Sequence, residues 1–144
     1  MRRRDFIALA ASATLAPGNV RAQQRTLRLI GITHTTAFNE RLRHAFEQGL
    51  RDAGFQEGQN LAMLYRPAEG RMDRLPDLTR ELVERGVELI VTTGGSLAAQ
   101  AAKAVTTKVP VVFMMGDADP VQAGLVTSLG RPGGNMTGPQ RPLA

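Results

Sequence analysis

The chain has 144 residues, neither cysteine nor tryptophan, and a formal charge of +5. That length fits one domain, and the missing cysteine excludes disulfides, thiolate catalysis, Cys-ligated zinc and a cysteine lipid anchor. Arg2, Arg3, Arg4 and Arg21 against Asp5 put +3 of the charge in the first 22 residues. The rest is nearly balanced and poor in aromatics, which argues against a nucleic-acid partner, and no apolar run is long enough to span a bilayer as a helix.

The leader comes first. Arg2-Arg3-Arg4-Asp5-Phe6-Ile7 precedes a mildly apolar Ala/Leu run that ends near Pro17, and Val20-Arg21-Ala22 supplies small residues at the spacing a signal peptidase reads. These are the three parts of an export signal over residues 1–22, cut after Ala22. The pattern Arg3-Arg4-x-Phe6-Ile7 resembles a twin-arginine signal, an address read by the twin-arginine translocon, so the mature chain is expected to begin at Gln23 in the periplasm.

Beyond the leader, short apolar strands alternate with amphipathic helices. Leu27–Ile32 reads as a strand that runs into a polar loop, Thr33-His34-Thr35-Thr36. Phe38, Leu42, Ala45, Phe46 and Leu50 recur at helical spacing, with Gly54 as the stop. Leu61–Tyr65 is a second strand. Asp73 as N-cap and Pro76 in the first turn open a second helix, whose stripe is Leu75, Leu78, Leu82 and Val83. Val87–Thr92 is a third strand, and Gly94-Gly95-Ser96 leads into an Ala-rich helix through Val105. Val109–Met115 is apolar enough for a strand buried on both faces. Pro120–Leu129 reads as a short helix capped by Gly130, and Asn135–Gly138 as the start of a fifth strand. This alternation predicts an α/β fold, a Rossmann-like parallel sheet with helices on both faces.

Ligands of such sheets bind outside the carboxyl ends of the strands. The loops there are Thr33–Thr36, Thr93–Leu97 and Gly116–Pro120, all small, polar or Gly-rich, which admits a ligand close to backbone. Gly94, Gly95, Ser96 and Leu97 at a helix start offer N–H groups and a hydroxyl to an anion, although any strand-to-helix loop favours Gly and Ser. His34 is a candidate contact on its loop. Glu40, His44 and Glu47 share a helix face at metal-ligand spacing, but a solvated face commonly carries such a trio and no metal site is assigned. Asp117 and Asp119 form a possible acid/base pair without an evident nucleophile, and Asp119-Pro120 also suits a helix start. Nucleotide-binding glycine motifs are absent, and no cofactor is implied. Asn135-Met136-Thr137 is read as a chance glycosylation sequon.

The segment Val109-Pro110-Val111-Val112-Phe113, then Asp119-Pro120-Val121-x-Ala123-Gly124-Leu125-Val126, then Leu129-x-Arg131-Pro132-Gly133-Gly134-Asn135-x-Thr137-Gly138 closely resembles ABC transporter substrate-binding proteins of the tryptophan/tyrosine type. Gly49-Leu50, Gly54-Phe55, Glu57-Gly58-x-Asn60, Tyr65-Arg66 and Asp73-Arg74-Leu75 agree in order. The resemblance implies a two-lobed periplasmic receptor of the type I fold, with a small ligand such as an amino acid or organic acid clamped between the lobes. It also implies an inner-membrane permease as partner. Carried onto this chain, the contact positions are Thr33, His34 and Thr35, Gly94, Gly95, Ser96 and Leu97, and Gly116, Asp117 and Asp119. Residues 23–138 then form the first lobe and 139–144 an irregular tail without the second lobe, which is the expectation for a truncated chain. Two other readings fit the same residues: an α/β enzyme with Asp117 or Asp119 as general base, and a non-functional gene fragment.

Overall fold

The computed structural model describes residues 27–139. The leader, its cut site at Ala22 and the residues after Pro139 lie outside them. The first strand, β1 (Arg28–His34), is followed by helix α1 (Glu40–Asp52), strand β2 (Leu61–Pro67), helix α2 (Leu75–Glu84) and strand β3 (Leu89–Thr93). Helix α3 (Ser96–Val105) and strands β4 (Val111–Phe113) and β5 (Met136–Thr137) complete the order. All pairings are parallel, in the order β2-β1-β3-β4-β5. The expected α/β sheet with helices on both faces is present.

Alternation along the strands sorts the core into two sides. Ile30, Ile32, Met63 and Val91 face α1, with Phe46 and Leu50 packed over them. Ile90, Val111 and Phe113 face the other way, against Leu82 of α2 and Ala99 and Ala102 of α3. Helices α2 and α3 are well seated, with Leu75, Leu78 and Leu82 buried on one and Ala98, Ala99, Ala101 and Ala102 on the other. The small alanines let α3 lie close to the sheet. Helix α1 has no fully buried residue, and Leu42 of its apolar stripe stays 37% exposed.

Several boundaries differ from expectation for local reasons. Strand β1 continues through Thr33 and His34, because both pair with β2 and β3. Helix α1 starts after Phe38 because the Asn39 side chain accepts the Arg41 N–H at 2.8 Å, a cap the sequence reading overlooked. Asp73 does not cap α2. It lies in a 3-10 turn, Met72–Arg74, and pairs with Arg71 at 3.4 Å. The predicted helix Pro120–Leu129 is a single turn: Asp119 accepts the Val121 and Gln122 N–H groups, and Gly124, at φ +70°, ends it. Leu125 and Val126 are thereby delivered to the core. Asn135 of the sequon donates to the Thr106 and Val109 carbonyls and so anchors the entry to β5.

The unequal seating of the helices predicts unequal costs. Leu82→Ala should lose about 3 kcal/mol of unfolding free energy through the cavity it leaves. Leu42→Ala should lose at most about 1 kcal/mol. Urea denaturation of both variants checks this, and equal losses would contradict it.

Candidate functional site

Parallel pairing brings the ends of β1, β3 and β4 to one edge of the sheet. Thr35 Oγ1 donates to the Gly94 carbonyl at 2.8 Å and ties the first loop to the second. Gly94 has φ +87°, and a Cβ on it would lie 2.3 Å from that hydroxyl, so only glycine fits. The loop after β2 closes over the same end, with the Ala68 and Gly70 N–H groups donating to the His34 and Thr35 carbonyls at 2.8 Å each.

The third loop meets the second through a carboxylate. Ser96, the first residue of α3, donates its N–H to Asp117 Oδ1 and Oδ2 at 3.0 and 3.1 Å, and its hydroxyl to Oδ2 at 2.8 Å. The start of α3, expected to receive a ligand's anion, therefore already holds an anion of the chain itself. The Ser96 N–H first, and its hydroxyl second, hold the Asp117 carboxyl below its usual pKa. Gly94, Gly95, Met114, Met115, Gly116, Asp117 and Pro139 line a solvent-open hollow of about 540 Å³ between these loops. A second hollow of about 530 Å³ lies at the opposite, amino end of the strands, around Arg28, Arg51, Phe55 and Asn60.

His34 and Thr35 are buried at the edge, with 9% and 6% exposure. The Thr36 N–H donates to His34 Nδ1 at 2.9 Å, an acceptor role that requires a neutral ring and assigns its proton to Nε2. Burial pushes the imidazole pKa below its ordinary value. The His34 ring meets Phe38 edge-on at 5.2 Å, and Phe38 meets Tyr65 in the same way at 5.1 Å. Tyr65 in turn donates its hydroxyl to Glu47.

Thr33 corrects the sequence reading. It lies inside the sheet with no exposure, opposite Thr92, and neither hydroxyl has a hydrogen-bond partner among the described residues. It is not a surface contact. Leu97 is 51% exposed beside the second loop. Asp119 caps the turn after the third loop rather than facing the hollow. The two candidate bases thus already accept N–H groups within the fold, and a lowered pKa makes Asp117 a weaker base. Glu40 and Glu47 flank Arg43 at 3.7 and 3.0 Å, so those carboxylates serve an ion pair on the helix face. Met114 and Met115 were missed as lining residues. Their position just past an apolar strand was the signal available.

Residues 32–140 match the family described as ABC transporter substrate binding protein. The chain belongs to that family. A tyrosine-binding protein of Clostridioides difficile strain R20291 is 32% identical over 99 residues, covering 69% of this chain and 28% of the relative. The chain therefore spans under a third of that relative. A ligand-free, open substrate-binding protein with adhesive properties from Clostridium difficile superposes with TM-score 0.71 and 29% identity, over 78% of this chain and 38% of the other. An ABC domain from Streptococcus pneumonia in complex with L-Trp gives 0.70 and 26%, over the same two shares. The resemblance carried by Val109–Gly138 is borne out at the level of family and fold.

Ser96→Ala keeps the N–H bond to Asp117 and removes the hydroxyl bond. The Asp117 pKa should then rise toward its ordinary value, read by carboxyl-carbon NMR titration. An unchanged value would show that the hydroxyl contributes nothing.

Proposed function

We propose that this chain supplies a ligand-binding lobe of a periplasmic receptor that hands a small molecule, an amino acid or a related organic acid, to an ABC transporter permease in the inner membrane. The observation that carries the reading is the hollow at the carboxyl ends of β3 and β4, in a chain of the substrate-binding family. Binding at such an edge needs close backbone approach, a few polar groups and an apolar wall. Gly94, Gly95 and Gly116 give the first, Asp117 the second, and Met114 and Met115 the third, while the Thr35 hydroxyl ties the first loop to the second and the His34 and Thr35 carbonyls hold the loop after β2. One relative is a tyrosine-binding protein and another is in complex with L-Trp, so L-tyrosine and L-tryptophan are the first compounds to try. The reading is of binding without chemical change.

An open hollow leaves a ligand's polar groups in contact with water, so the affinity expected of these residues alone is about millimolar, near −4 kcal/mol. Calorimetric titration of the chain with amino acids and small organic acids should show weak saturable binding, and mass spectrometry should recover the ligand unchanged. Conversion of the ligand, or no saturable heat with any compound, would overturn the reading.

Export by the twin-arginine route is the second part of the proposal, supported by Arg3-Arg4-x-Phe6-Ile7 and the small residues before Gln23. Among the described residues no helix is long and apolar enough to cross a membrane. Replacing Arg3 and Arg4 by Lys should leave an uncut precursor in the cytoplasm, whereas the parent chain should begin at Gln23 by intact mass. A parent chain still starting at Met1 would contradict this.

A further inference from the structure

Among the described residues, the hollow between the second and third loops has one charged lining residue, Asp117. Its other lining residues are three glycines, two methionines and a proline, so among the described residues no cation of the lining offsets the carboxylate. The N–H of Ser96 and its hydroxyl, which an incoming anion would need, are already spent on Asp117. A ligand carboxylate arriving here must either displace Asp117 or lie beside it, and both cost free energy. A ligand cation meets the reverse situation. Oδ1 accepts only the Ser96 N–H and keeps a lone pair for a further donor, whereas Oδ2 accepts both the N–H and the hydroxyl, and the residue is exposed.

We propose that Asp117 is the acceptor for a cationic group of the ligand, a primary ammonium carried on an apolar body that packs against Met114 and Met115. Ser96 is then a positioning residue: its two bonds hold the carboxylate at the lip of the hollow instead of leaving it free in solvent. Gly95 is part of the same device. It has φ +117°, and a Cβ on it would lie 3.1 Å from Asp117 Oδ2, so a side chain would crowd the carboxylate. This inference rests on the ligand-binding reading and adds to it the end of the ligand that these loops read. A ligand carboxylate has its partners elsewhere.

Three probes with one aromatic body separate the charges: L-tyrosine carries both, tyramine the ammonium alone, and 3-(4-hydroxyphenyl)propanoate the carboxylate alone. Titrations of the full chain, followed by NMR, should show tyramine binding better than the propanoate. Asp117→Asn keeps an oxygen for Ser96 and removes the charge, so folding is preserved. It should weaken tyramine by about tenfold or more, the size of one hydrogen bond to a charged group, and should strengthen the propanoate. Ser96→Ala should shift tyramine in the same direction by less. Tyramine affinity unchanged in Asp117→Asn, or the propanoate binding the parent chain as tightly as tyramine, would overturn the inference while leaving ligand binding intact. No binding of any probe by the parent chain would overturn the ligand-binding reading itself, and this inference with it.

Discussion

The pairing of β1 with both β2 and β3 sets the geometry on which the rest depends. Ile32 lies opposite Tyr65 on one side and Val91 on the other, so a one-residue slip would turn both cores inside out. With this register fixed, His34 comes level with Pro67 and Thr93, and the loops that follow leave the sheet at one edge. The side chains in the middle of the sheet are small where a helix must come close. A Cβ on Gly31 would lie 2.7 Å from Leu82, so α2 owes its seat over β1 to that glycine.

Polar chemistry at the edge is used mainly to join loops. Thr35 reaches Gly94, Thr36 reaches the His34 ring, and Ser96 reaches Asp117. Each bond connects segments that leave different strands or turn sharply after one. Such ties stabilise the shape of a binding edge before any ligand arrives, which reduces the ordering a ligand must impose. The Ser96–Asp117 contact does more, because it cancels the positive end of α3 with a negative charge from the chain itself. The charge this edge presents is thereby inverted.

The fold was legible because its signals are local and repeated. Apolar runs at Leu61, Val87 and Val109, with glycines at 54 and 86 ending helices, left little choice but strand-helix alternation. The family was legible through the Asp119–Gly138 run. The site was legible only as three loops. Nothing in the order of residues says that a carboxylate at 117 will fold back onto a serine at 96, since that depends on the spacing of β3 and β4 in space. Thr33 was misplaced because threonine suits both a loop and a strand, and pairing on both sides decided for the strand. The helix expected over 120–129 failed because Gly124 adopts a left-handed conformation in the middle of the pattern.

The central claim is that a small ligand sits on the carboxyl edge of this sheet. The direct measurement is an amide NMR titration of the chain with L-tyrosine. The account predicts saturable shifts for the amides of residues 34–36, 94–97 and 116–119. Shifts confined to Arg28, Arg51, Phe55 and Asn60, around the hollow at the opposite end, would contradict it.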